Sequence, residues 1–143
     1  AGTVRDLPLV VLVNRQSASA AEILAACLQD HDRATIVGEG TFGRGIVQSI
    51  IRLKSGDALK VTTAKIVRPN GKGLHRFSDS EAGDWGVTPN DGFVVAISDD
   101  DLKKLTADQL QRSLLGVDGR AEVDFTDRQL RKAVACLLKK IAT

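Results

Sequence analysis

Residues 8–13 read Pro-Leu-Val-Val-Leu-Val, an unbroken β-branched and leucine run that suits a strand buried on both faces. Polar Asn14, Arg15, Gln16 and Ser17 break the run. From 18 to 30 the apolar residues Ala20, Ile23, Leu24, Cys27 and Leu28 recur at helical spacing. Ser19 followed by Glu22 has the spacing of a capping box, which opens a helix. The first unit is therefore strand, tight turn and helix, with Ser19 at the turn. Val10, Leu12, Ile23, Leu24 and Leu28 are expected to share its core.

The strand–helix theme continues. Residues 34–37 read as a second short strand, ended by the glycine-rich stretch 38–45. Residues 46–53 and 58–67 are β-rich, and the Lys-Ser-Gly-Asp between them is a hairpin signal. A turn at 69–73 leads into a long polar loop that carries Trp85 and runs to about Asp91. Residues 93–97 are expected as a final strand. Amphipathic helices are expected over 101–115 and 126–141, entered through Asp or Thr. The class is α/β, with residues 7–97 forming one sheet and the 18–30 helix packed on it.

Composition narrows the functions. With 143 residues, the chain is long enough for one domain with a real core. Aromatic residues make up only 3%, so Val, Ile, Leu and Ala must fill that core, with Trp85 as the lone large anchor. A net charge of +2, without aromatics interleaved among the basic residues, argues against nucleic acid or an anionic membrane as partner. The longest early apolar run, Leu7 to Val13, is too short to span a bilayer. The chain has no methionine and opens abruptly, with no leader visible, and reads as a piece of a longer protein. Cys27 and Cys136 lack metal-type spacing and lie in helical segments. They read as buried free thiols, with a disulfide left open.

Two motifs carry chemical alternatives. A serine between strand and helix is an N-cap in one reading. In the other it is a nucleophile on a sharp turn, where the helix N-terminus favours a developing oxyanion and small Ala18, Ala20 and Ala21 admit a peptide backbone. Gly38, Gly40 and Gly43 spell Gly-x-Gly-x-x-Gly, but a strand rather than a helix follows, and the other nucleotide-site signatures are missing. These glycines read as a tight loop with close backbone packing. His31, at the expected helix end, and His75 have no metal-ligand spacing, and no spacing supports a Ser-His-Asp triad through either.

Taken together, these segments resemble the C-terminal-processing (tail-specific) serine proteases. The matching stretches are Pro-Leu-Val-Val-Leu-Val-Asn-Arg-Gln-Ser-Ala-Ser-Ala-Ala-Glu-Ile-Leu, Leu-Gln-Asp-His-Asp-Arg-Ala and Val-Gly-Glu-Gly-Thr-Phe-Gly-Arg-Gly-Ile-Val-Gln. Leu-Lys-Val-Thr-Thr-Ala-Lys and Gly-Val-Thr-Pro-Asn-Asp follow in order. The resemblance covers about residues 7–97. It implies a partial ClpP/crotonase-like protease core over 1–98, and the helices expected beyond it make 99–143 a C-terminal helical segment.

The resemblance also implies site residues. The nucleophile falls on Ser19, one oxyanion donor on the Ala20 N–H, and the glutamine that orients the base on Gln48. The family's third motif serine is Ala21 here, and its lysine base is replaced by Arg44. A lysine can lose its proton when burial lowers its pKa, whereas arginine stays protonated in proteins. Arg44 can orient Ser19 or hold an oxyanion but is a poor acceptor for the serine proton; Lys65 is a conceivable substitute. The implied setting is a bacterial periplasm or cell envelope, with no cofactor or metal. The implied partners are unfolded or C-terminal peptide segments, and a PDZ domain and second oxyanion segment are expected upstream. The competing class is a catalytically silent relative that binds such peptides without cutting them.

Overall fold

In a computed structural model describing residues 6–79, 84–115 and 125–142, the expected strand–turn–helix unit is formed by β1 (Val10–Val13) and α1 (Ala20–Asp30). The chain returns as β2 (Thr35–Gly38), parallel to β1 with Val10 opposite Thr35 and Val13 opposite Gly38. Gly38 is required there: its φ is +131°, and a Cβ would lie 1.9 Å from the Val13 carbonyl oxygen. The expected hairpin is present as β3 (Ile46–Arg52) and β4 (Ala58–Lys65), antiparallel, with an irregularity between Val47 and Gln48.

Two expectations about the sheet need correction. The four strands form two separate two-stranded sheets, β1–β2 and β3–β4. Residues 93–97 form no strand and contribute one parallel bridge, from Val94 to Gly38. The physical reason is that β2 has no free edge to offer the hairpin. The Asn90 side chain accepts from the Ile36 N–H at 2.7 Å, and the Asn90 N–H donates to the Ile36 carbonyl at 3.0 Å. Further along, the Gly38 N–H donates to Phe93 and the Val95 N–H to Gly38.

The core also differs from expectation. Helix α1 buries Glu22, Ala25 and Ala26, whereas Ile23 and Leu24 are exposed, Leu24 by 62%. Leu12 is exposed too, and only Leu28 of the expected α1 apolar set packs at the core margin. The core is Val13, Ala25, Ala26, Ala34, Ile36, Leu74 and Val87. Alanines let the helix approach β2 closely. Rotating α1 to bury Leu24 would withdraw Glu22 from the donors described below, leaving them unpaired.

Two more helices follow among the described residues. Ser98 opens α2 (Asp99–Leu115), its hydroxyl accepting from the Asp101 N–H at 3.1 Å. Asp127 caps α3 (Arg128–Ile141) by accepting from Leu130. Gln129, Ala133 and Cys136 form the buried stripe of α3 against β1 and β2. Cys136 is thus a buried free thiol as expected, but Cys27, also free, is exposed, because it lies off the alanine face of α1. No described helix is long and apolar enough to cross a membrane.

Candidate active site

Ser19 sits at the N-cap of α1 with φ +56° and ψ −118°, a conformation costly for a residue with a Cβ. Local bonds shape the approach. The Ser17 N–H donates to the Asn14 carbonyl at 2.8 Å, and the Gln16 N–H donates to the Asn14 side chain at 2.9 Å. Ser19 and Ala20 are both exposed. As the first residue of α1, Ala20 has an N–H without an intrahelical acceptor.

Glu22 holds this turn in place. It is fully buried, and its carboxylate accepts four hydrogen bonds. Oε1 takes the Thr41 hydroxyl at 2.5 Å and the Gly43 N–H at 2.7 Å. Oε2 takes the Arg44 N–H at 2.8 Å and the Ser19 N–H at 2.9 Å. A carboxylate has about four acceptor positions, so its capacity is filled. Thr41, buried as well, accepts from the Val87 N–H at 2.8 Å, and the Phe42 N–H donates to the Ser17 carbonyl. One side chain therefore joins the serine turn to the glycine-rich loop.

The expected tight packing of that loop is present at Gly43, whose φ is +87° and whose Cβ would lie 2.3 Å from Trp85 Cδ1. His75 supports the same segment, with Nδ1 3.1 Å from the Gly43 carbonyl oxygen and 3.4 Å from the Gly45 nitrogen.

The structure brings the backbones of Ser19 and Arg44 together through Glu22, but does not join the side chains of Ser19, Arg44 and Gln48. The Arg44 guanidinium lies 5.1 Å from the Phe42 ring centroid. Gln48 is exposed on β3 and donates to Thr62 across the hairpin at 3.3 Å. Lys65 ends β4 opposite Ile46 with its ammonium over Phe77. His31 caps the far end of α1. Among the described residues, neither histidine is hydrogen-bonded to Ser19.

Glu22 and Thr41 are the residues that sequence reasoning missed. The Ser19–Glu22 spacing was legible as a capping box, and the Ser19 N–H to Glu22 bond is present. The spacing does not reveal that the same carboxylate reaches residues 41–44.

Comparison with known proteins identifies the family. Residues 2–90 match the model of peptidase family S41. The chain is 54% identical over 72 residues to a carboxyl-terminal-processing protease of Synechocystis sp., covering 50% of this chain and 17% of that one. It is 59% identical over 104 residues to the chloroplastic carboxyl-terminal-processing peptidase 3 of Arabidopsis thaliana, covering 70% and 18%. The chain spans about a fifth of the length of the curated relatives it matches. Among solved structures, the photosystem II D1 C-terminal processing protease superposes with a TM-score of 0.53 at 35% identity, covering 78% of this chain and 25% of that one. Mature CPAF shares the fold, with a TM-score of 0.57 at 24% identity over 95% and 21% of the two chains. With a family model matching more than half its length, this α/β chain belongs to peptidase family S41, the family of the C-terminal-processing proteases.

Proposed function

We propose that this chain is the nucleophile-bearing part of a serine protease that hydrolyses peptide bonds near protein C-termini. Residues 1–98 form a partial catalytic core and 99–143 a helical segment that follows it. Ser19 Oγ bonds to the scissile carbonyl carbon as its proton passes to water, and the Ala20 N–H donates to the resulting oxyanion. The C–N bond breaks with the amine leaving protonated, and a water then hydrolyses the acyl-serine; Gln48 orients the residue at the base position. A PDZ domain and a second oxyanion donor come from sequence upstream, in a protein of the bacterial envelope or periplasm. The observation that carries the reading is the shared Glu22 carboxylate, which pins the Ser19 turn beside the Arg44 loop.

A second reading, a silent relative that holds unfolded C-terminal peptides, is favoured by one feature. The base position is Arg44, and its guanidinium lies over the Phe42 ring rather than hydrogen-bonding Ser19. An arginine that stays protonated cannot readily take the serine proton.

Proteolysis of an unfolded substrate by the full-length protein separates the two. Arg44→Lys is expected to raise turnover by about 100- to 10,000-fold, the usual contribution of a working general base. Ser19→Ala should abolish that gain, and Arg44→Ala should bring none. An Arg44→Lys protein that binds substrate normally yet cuts no faster would sink the base-position assignment. Ser19-dependent cutting equally fast in the Arg44 and Ala forms would move the base elsewhere, with Lys65 first in line.

A further inference from the structure

A groove of about 630 Å³ opens beside the Ser19 turn, lined by Gln16 and Ala18 on one side and by Phe42, Arg44 and Arg76 on the other. Arg15 also lines it, but its guanidinium is committed to Glu39, Asp99 and the Ile97 carbonyl. Arg44 and Arg76 are held differently. Each lies over an aromatic ring, Arg44 5.1 Å from the Phe42 centroid and Arg76 4.6 Å from that of Trp85. A cation over a ring is held without a hydrogen bond, and among the described residues no hydrogen bond engages either guanidinium, so the N–H donors are available. Among the described residues, neither side chain is paired with a carboxylate.

Their backbones are fixed relative to each other. The Arg44 N–H is bound by Glu22, and the Arg76 N–H donates to the Gly43 carbonyl at 2.9 Å. The space a Gly43 side chain would need is filled by Trp85 and by Arg76 Cβ. Two arginines with aromatic-braced guanidinium groups thus line one groove, next to the residue that precedes Ser19.

We infer that Arg44 and Arg76 form a carboxylate-recognition subsite. It favours polypeptides that place an acidic group within a few residues of the bond presented to Ser19. This rests on the Ser19 reading for its position along a substrate. Planar guanidinium donors match a carboxylate in paired N–H···O contacts, and two cations over one groove favour an anion there. The carboxylate comes from an Asp or Glu side chain or from a chain terminus, and the two sources are separable.

The test measures binding of rhodamine-labelled peptides to the full Ser19→Ala chain by fluorescence anisotropy. One peptide carries Glu and an amidated end, the second replaces Glu by Gln, and the third is the Gln peptide with a free C-terminal carboxylate. The Glu peptide is expected to bind about tenfold more tightly than its Gln counterpart at low salt. Ion pairing in an open groove is screened, so the ratio should fall to about twofold at 0.5 M salt. Arg76→Gln should remove most of the preference and Arg76→Lys should retain part of it, with unchanged circular dichroism in both. The same gain in the third peptide, also lost in Arg76→Gln, would support the subsite and assign its carboxylate to the chain end. Equal affinities for all three peptides, or a preference surviving Arg76→Gln, would overturn it. Cleavage is read separately with Ser19 intact. Failure to cut any peptide while the preference persists counts against the protease reading alone.

Discussion

The serine turn and the β3–β4 hairpin hold the two ends of one proposed site by opposite means. Around Ser19, the positive φ, the buried Glu22 and the Gly43–Trp85 packing determine one another. Along the hairpin, Ile50 is 70% exposed and, among the described residues, the Gln48 side chain hydrogen-bonds Thr62 alone, so the ladder is its main support. The contrast separates two kinds of residue. On the proposed function, changing one kind is expected to cost the fold and the function together, and changing the other to cost function alone.

The sharpest way to break that contrast is Glu22→Ala. Removal leaves the buried Gly43 N–H and Thr41 hydroxyl without their acceptor, along with the part-buried bonds from the Ser19 and Arg44 N–H groups. Thermal or urea unfolding should show a loss of about 3–5 kcal/mol, since each unsatisfied buried donor costs about 1–3 kcal/mol and some recover partners. Glu22→Gln should cost less, as one amide oxygen remains. A loss below about 1 kcal/mol would mean that the turn holds itself.

The next effect lies at the opposite end of α1. Arg68 pairs with Asp30 through both Nε and Nη2, with the Asp30 side chain only 4% exposed. Burial alone would push the Asp30 carboxyl up. The hydrogen bonds from Arg68 and the Asn70 N–H, with the charges of Arg68 and His31, outweigh it and hold the group below its ordinary 3.8. A carboxyl depressed on folding stabilises the native state above its unfolded pKa and loses that contribution as pH falls through the folded value. Stability should therefore decline below about pH 4 more steeply in the wild type than in Asp30→Asn. Arg68→Ala should cost about 3 kcal/mol near neutral pH. Parallel acid-denaturation curves for wild type and Asp30→Asn would remove this pair from the ledger of stabilising contacts.

The smallest effect belongs to the hairpin. Gln48→Ala should change stability by no more than about 0.5 kcal/mol, the usual range for an exposed substitution. If Gln48 orients the base position, the same change should still lower turnover in an active Arg44→Lys background. Loss of stability comparable to that of Glu22→Ala would erase the distinction between the regions.

Much of this was legible beforehand because the signals are local. The apolar run at 10–13, the Lys-Ser-Gly-Asp turn and the amphipathic tail helices each encode their element within a few residues. The single sheet was misjudged because Asn90 and Phe93 occupy the β2 edge with loop backbone, which no period reveals. The α1 core was misjudged because hydrophobicity ranks Leu24 above Ala25, whereas packing distance and the needs of Glu22 ranked them the other way. At the site, the serine turn was readable from Ser19 and Glu22. The orientation of Arg44 toward Phe42 was not, since nothing in the spacing says which neighbour a guanidinium chooses.

The Glu22 bonds also predict an order of events in folding. Ser19 takes its positive φ while its own N–H is tied to a carboxylate whose other partners lie some twenty residues further along the chain. Closing that loop costs chain entropy before its hydrogen bonds can repay it, so contacts of this range form later than helix turns do. A nascent chain that has made only the first strand and helix has no reason to hold the serine in its strained shape. The proposed reactive geometry would be assembled only when the loop at 41–44 arrives, so a half-made chain would not present the proposed nucleophile.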